Sequence, residues 1–341
     1  MMSEKFNVAV VGATGLVGET MISILKERKF PVDELHLLAS SRSAGKVVMY
    51  GNKRITVQDL ADFDFTGVDI GLFSAGSSVS EEYAPKAADA GCVVIDNTSR
   101  FRQEKDIPLV VPEVNPEALA GYVNRKIIAN PNCSTIQMLV ALKPLHDAVG
   151  IKKIVVSTYQ AVSGAGRRHM EDLAKQTALM MNGRPFESEL YKKPLAFNAL
   201  PQIDVFEDNG FTREEMKMVN ETRKIFGDPE IRVNATAVRI PVFFGHSESI
   251  YIETREPVTV AQARKLLKNA PGVVLMDDPG KLKYPTPATD AAEKDGVFVG
   301  RIRQDLDDDR ALSLWVVADN VRKGAALNSI QIAELLVKEY L

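Results

Sequence analysis

Along the first third of the chain, apolar residues recur in two alternating patterns. Phe6 to Val11 is a short, mostly apolar run of the kind a buried strand shows. The residues after it put Val17, Met21, Ile22 and Leu25 on one helical face. That helix closes on the cationic stretch Lys26 to Lys29, which suits the negative end of a helix. Glu34 to Ala39 predicts a second strand and Val68 to Phe73 a third. Val79 to Ala90 predicts a helix closed by Gly91, and Cys92 to Ile95 a further strand. Strands alternating with helices predict a parallel sheet covered by helices.

The pattern changes after Asn130. Ser134 to about Val149 reads as a helix, with Pro144 marking a point where it could break. Ile151 to Tyr159, Val233 to Ile240, Glu248 to Thr254 and Leu312 to Val317 read as strands in series. They predict a second domain on a mostly antiparallel sheet. A last helix, about Ala325 to Tyr340, carries Ile330, Ile332, Ala333, Leu336 and Val337, and Asp305 to Asp309 reads as a solvated loop.

Composition changes this picture little. The 341 residues suggest about two domains. A net charge of -3, with no basic run, argues against a nucleic-acid or membrane-surface partner. It leaves an acidic small molecule open, because local Arg and Lys can bind anions inside a neutral protein. No apolar run approaches the ~18 residues of a spanning helix, and Met1 to Gly12 lack the layout of a signal peptide. Two cysteines, Cys92 and Cys133, fit free thiols in a reducing compartment, hence a cytoplasmic protein. The four histidines are scattered, and no metal-ligand spacing is present.

Two segments carry chemistry. The first turn reads Gly12-Ala13-Thr14-Gly15-Leu16-Val17-Gly18, between a strand and a helix. Glycines there let the backbone turn tightly and approach a pyrophosphate, which the helix N-terminus stabilises. The GxxGxxG spacing is a variant of the usual dinucleotide fingerprint. An acid at the end of the second strand would grip the ribose of NAD. Here the strand ends Ala39-Ser40-Ser41-Arg42, whose hydroxyls and guanidinium suit the 2′-phosphate of NADP. The second segment, Asn130-Pro131-Asn132-Cys133-Ser134-Thr135, runs into an apolar-periodic helix. A cysteine at a helix N-terminus is biased toward thiolate, whereas Cys92 suits a small core residue. A thiol nucleophile needs an acid/base. His246 lies between two strand patterns, and His169 competes with it on equal terms.

Four motifs, in register over nearly the whole chain, make the sequence resemble the aspartate-β-semialdehyde dehydrogenases. They are the glycine turn at 12–18, Asn130 to Thr135, Thr158 to Gly166, and Val238-Arg239-Ile240-Pro241 followed by Gly245-His246-Ser247. The resemblance implies NADPH-dependent reduction of L-aspartyl-4-phosphate to aspartate semialdehyde and phosphate, a step toward lysine, threonine and methionine. It implies Cys133 as the acylated nucleophile, His246 as acid/base and Gln160 as the residue positioning the substrate. It further implies Arg239 for the substrate α-carboxylate, Glu214 for its amine, and Arg102 and Lys217 for phosphate. Arg100 is a rival to Arg102 within the same motif. Thr212 and Glu215 also fit a capping box, a structural reading of the segment holding Glu214. Gly12, Thr14, Gly15, Leu16, Val17, Ser40, Ser41, Ser163, Gly164 and Asn320 match cofactor contacts. The implied fold is a Rossmann-type NADP-binding domain, 1–132, with the final helix, 321–341, returning to it. An α/β catalytic and dimerisation domain, 133–320, is inserted between, with Cys133 at the junction, and the implied oligomer is a homodimer. Two rival readings remain. N-acetyl-γ-glutamyl-phosphate reductase shares the architecture, but its cysteine motif reads more like Gly-Cys-Tyr-Pro-Thr. A catalytically silent NADP-binding regulator would have no need of Cys133, Gln160, Arg239 and His246.

Overall fold

A computed structural model describes residues 4–186 and 188–341. It divides into two compact units, one running through Asn132 and taking up Ala325–Leu341, the other formed by Cys133–Gly324.

In the first unit β1 (Phe6–Val11) leads through α1 (Leu16–Glu27) to β2 (Val32–Ala39). A hairpin of β3 (Val47–Tyr50) and β4 (Lys53–Thr56) stands apart, followed by the short β5 (Gln58–Asp59). β6 (Ile70–Phe73), α2 (Ser77–Asp89), β7 (Val93–Asp96) and β8 (Ile127–Ala129) complete the sheet. Its order is β5-β2-β1-β6-β7-β8 and every pairing is parallel, the Rossmann-like arrangement that the alternating pattern predicts. The hairpin escaped prediction because its strands are short and largely exposed. The C-terminal helix Leu327–Glu339 joins this core, with Ile330, Ala333 and Leu336 in one cluster with Val8, Val10, Met21 and Ile95. Because β2 and β6 flank β1 on opposite sides, the strand order reverses at β1. The carboxyl end of that reversal is where doubly wound sheets open a ligand crevice.

The second unit contains α3 (Cys133–Val149), β9 (Ile151–Gln160), α4 (Arg167–Met181), α5 (Arg213–Phe226) and β10 (Arg232–Arg239). Then come β11 (His246–Thr254), α6 (Val260–Lys268), β12 (Val273–Leu275), β13 (Val297–Gln304) and β14 (Ala311–Ala318). The sheet order is β10-β9-β11-β14-β13-β12. Its three inner pairings are antiparallel and its two outer pairings parallel, so the sheet is mixed around an antiparallel centre. The helix α3 continues through Pro144 rather than breaking there. Burial explains this, because Ser134 to Leu142 are all buried and hold the helix against the sheet between α5 and α6. On β9, β11 and β14 alternate residues are buried under these helices. Val155, Tyr159, Ser249, Tyr251 and Trp315 look out from the opposite, more open face. Among the described residues, no helix is long and apolar enough to cross a membrane.

Candidate active site

In the first unit the glycine turn forms a tight cradle. Gly12 has φ +88°, a conformation L side chains rarely adopt, and a Cβ there would lie 2.6 Å from the Ser74 carbonyl oxygen. The Gly12 and Ala13 amides donate to the Leu38 carbonyl, binding the turn to the end of β2. Gly15 caps α1 without a side chain, so the Leu16 and Val17 end of that helix is left to an outside anion. Thr14 lies within the turn, and Ser40 and Ser41 are exposed just after β2, with no acidic side chain at the strand end. These features fit a dinucleotide that carries a 2′-phosphate.

The same unit separates the two rival arginines. Arg102 is buried, and its guanidinium donates to the carbonyls of Asn130 (2.9 Å) and Asn97 (2.8 Å). Arg100 is spent on surface ion pairs with Glu81 and Glu104. A buried, backbone-aligned fork suits an oxyanion better than a solvated one.

The second unit gathers most of the remaining site residues. Cys133 opens α3 and is half-buried, so its thiol stands at the positive end of a 17-residue helix. The next residue, Ser134, accepts a 2.5 Å hydrogen bond from Gln160 Nε2 at the end of β9. The Gln160 amide also donates to Glu214 (3.2 Å). Glu214 sits in the first turn of α5, whose capping box between Thr212 and Glu215 does form. Both readings of that segment therefore hold, since the box sets the helix start that presents Glu214. Lys217, one turn on, pairs with Glu214 (2.9 Å) and Asp204 (3.1 Å). Burial works against its charge, but the two carboxylates outweigh it and raise its pKa.

His246 starts β11 and is fully buried. Its Nδ1 accepts from the Ala161 amide at 3.1 Å, so in the neutral ring the proton stands on Nε2. Nε2 itself is buried without a partner. Burial, reinforced by the charge of Arg239, lowers the imidazole pKa from 6.5 to about 3. His169, the rival, lies half-buried on α4, edge-on to Tyr191. Arg239 ends β10 and is buried, with Nη1 donating to the Ala161 carbonyl at 2.6 Å. No carboxylate among the described residues forms an ion pair with it. Ala161 thus orients both groups from opposite ends of one residue. Gly164 lies over them, where a Cβ would be 3.3 Å from the His246 ring and 3.6 Å from Arg239 Nη1. Ser163 and Asn320 hydrogen-bond to each other, and Asn320 Oδ1 also accepts from the Gly245 amide (3.0 Å), next to His246.

The sequence reading missed Gly324. A Cβ at that position would come within 2.7 Å of Cys133 Cβ, so only glycine lets the turn before the last helix close on the thiol. The small-residue run Gly324-Ala325-Ala326 was the available signal.

The burial of His246 sets a pH dependence. Below about pH 6.5 the unfolded chain protonates this residue while the folded chain resists until about pH 3. The unfolded state then binds more protons, so stability falls with acidification across that window. In denaturant melts, wild type should lose stability more steeply between those pH values than His246→Gln; equal slopes would contradict the assignment.

Two family descriptions match the chain: the semialdehyde dehydrogenase NAD binding domain over residues 7–122 and the semialdehyde dehydrogenase dimerisation domain over 142–323. Fold and site thus define the class, a two-part semialdehyde dehydrogenase. An aspartate-semialdehyde dehydrogenase from Shewanella sp. (strain DB6705) is 57% identical over 99% of this chain and 100% of its own length. A crystal structure of aspartate semialdehyde dehydrogenase II from Vibrio cholerae, complexed with ASA, superposes with a TM-score of 0.97 at 57% identity, covering 99% of this chain and 100% of that one. The Candida albicans aspartate semialdehyde dehydrogenase with NADP superposes at 0.76 with 28% identity over 98% of both chains. This chain belongs to the aspartate-semialdehyde dehydrogenase family.

Proposed function

We propose that the protein catalyses the NADPH-dependent reductive dephosphorylation of L-aspartyl-4-phosphate to aspartate 4-semialdehyde, through a thioester on Cys133. The reading rests above all on a buried guanidinium, Arg239, with no carboxylate partner among the described residues, held through Ala161 beside a neutral buried His246. Such a cation calls for an anionic ligand.

The Cys133 thiolate attacks the acyl phosphate carbonyl, and the carbon–oxygen bond to phosphate breaks. Arg102 and Lys217 take up the departing charge. Arg239 holds the α-carboxylate, Glu214 the amine, and Gln160 orients the acyl group near Ser134 and Cys133. When bound, NADPH supplies the hydride that reduces the thioester. The His246 Nε2–H hydrogen-bonds the resulting hemithioacetal oxyanion, and collapse of that oxyanion releases the aldehyde and returns Cys133 to the thiolate. Gly12, Thr14, Gly15, Leu16 and Val17 would hold the pyrophosphate of that cofactor. Ser40 and Ser41 would receive its 2′-phosphate, and Ser163, Gly164 and Asn320 are further candidates for contact with it. The open face of the second sheet, with Tyr159 and Trp315 in ring contact, suits the homodimer interface, and the enzyme works in the cytoplasm.

The test is turnover of aspartate semialdehyde with phosphate and either NADP or NAD. NADP should give the higher kcat/KM by at least about tenfold, because charge-assisted contacts to a phosphate contribute about 1.5–3 kcal/mol. Equal values would remove the assignment of Ser40 and Ser41, and no turnover with either would remove the activity.

A further inference from the structure

Directly beneath the reacting groups lies a buried carboxyl that the mechanism does not use. Glu248, two residues after His246 on β11, is fully buried. It points to the covered face of the sheet, with His246 and Ile250. Register puts it opposite Thr158 on β9 and Val316 on β14. Neither carboxyl oxygen makes a hydrogen bond of ordinary geometry, and the Thr158 hydroxyl is likewise buried without a partner. The side chain acting on it is Gln137 of α3, whose amide N–H faces the carboxyl. The Gln137 Nε2 donates to the backbone carbonyl of His246 at 3.2 Å, while its Oε1 is buried with nothing donating to it. Gln137 stands four positions after Cys133, one turn along the same helical face.

We propose that Gln137 and Glu248 are positioning residues for the reaction. Gln137 ties the helix that opens at Cys133 to the strand that opens at His246, and Glu248 holds the Gln137 amide in the orientation that makes the tie. This rests on the reading of Cys133 as nucleophile and His246 as its hydrogen-bonding partner.

The chemistry of the pocket supports the pairing. Burial drives the Glu248 carboxyl well above the ordinary carboxylate range, and Gln137 opposes this only in part. A neutral carboxylic acid has one O–H to give and one carbonyl oxygen to satisfy. The Gln137 N–H faces this carboxyl, and the unpaired Thr158 hydroxyl lies opposite it on β9. The two N–H groups of Nε2 then serve the His246 carbonyl and the Glu248 carboxyl, and a flipped amide would turn Oε1 toward both acceptors, so the carboxyl holds the amide in place. Ser134 and Gln160 already tie the start of α3 to β9, and Gln137 adds the tie to β11. With both ties in place, the nucleophile's helix is fixed against the two strands that carry Gln160 and His246. Paired polar groups buried at low dielectric hold the segments they join in one arrangement.

The experiment compares Glu248→Met, Glu248→Gln, Gln137→Met and the double Gln137→Met/Glu248→Met in the full-length enzyme. Cys133→Ala is measured alongside. Glu248→Met and Gln137→Met should each lower kcat about tenfold, with KM for aspartate semialdehyde and phosphate within about twofold of wild type. The double variant should be no worse than Gln137→Met alone, because the two residues act as one unit. Glu248→Gln should restore most of the activity lost in Glu248→Met, since its amide oxygen can still accept from the Gln137 N–H. Unchanged kcat in Gln137→Met, additive losses, or a Glu248→Gln defect as deep as that of Glu248→Met would each overturn the proposal. If Glu248→Met does not fold, Gln137→Met and Glu248→Gln still decide between these outcomes. Activity surviving in Cys133→Ala would instead overturn the thioester reading on which the proposal rests.

Discussion

Cys133→Ala should lose turnover by at least about 10³-fold, because the covalent route disappears with the thiol. The dissociation constant for NADP should stay close to that of wild type, since the glycine cradle proposed to receive the pyrophosphate belongs to the other unit. The contrast between the two cysteines carries the prediction. Cys92 is fully buried, and burial drives its thiol up to about 12, which leaves it inert. Cys133 opens α3, half-buried, with Gly324 packed against its Cβ and Gln160 tethered to the adjacent Ser134. Iodoacetamide should therefore label Cys133 in the native protein and spare Cys92, and Cys92→Ala should keep its activity. Full turnover in Cys133→Ala would end the thioester mechanism.

Arg239→Lys should lower kcat/KM for aspartate semialdehyde by at least about tenfold, and again leave NADP affinity nearly unchanged. Arg239 follows Ala235 and Ala237 on the buried side of β10, so a guanidinium ends a row of small side chains. One of its nitrogens is committed to the Ala161 carbonyl, which aims the rest of the fork. A carboxylate gripped through two parallel bonds is fixed in direction as well as distance, and a lysine ammonium cannot reproduce that grip. Charged hydrogen bonds of this kind contribute about 1.5–3 kcal/mol, which sets the size of the loss. Anchoring the α-carboxylate also measures out the substrate, so a four-carbon acid places its carbonyl at Cys133 and a five-carbon homologue overshoots. Wild type should accordingly prefer aspartate semialdehyde to N-acetylglutamate semialdehyde. The reverse preference would overturn the substrate assignment even with Cys133 as nucleophile.

The features legible in the sequence are those set by neighbours along the chain. The β1–turn–α1 unit follows from an apolar run, a glycine turn and a helical period. The helix start that presents Cys133, and the capping box before Glu214, are likewise written in adjacent residues. Family motifs extended this reading to Gln160, Arg239 and His246, where periodicity alone left His169 an equal rival. Strands of three residues, such as β12, and the short hairpin of β3 and β4 escaped because so few residues alternate and their inward side chains are only half-buried.

Tertiary structure alone decided the matters that depend on register between distant strands. Sheet pairing aligns Glu248 with Thr158, and the packing of α3 on that sheet brings Gln137 to the carbonyl of His246. Packing turns Arg102 inward onto two carbonyls while Arg100 stays in surface ion pairs. It closes Gly324 on Cys133, leaves Arg239 buried without an acid partner among the described residues, and directs the Ala161 amide at His246. The physical reason is one of range. Helical period, turn chemistry and capping act over a few residues, so the sequence states them openly. Burial, proton position and hydrogen-bond partner depend on which distant segments pack together, and that is settled only when the whole core forms.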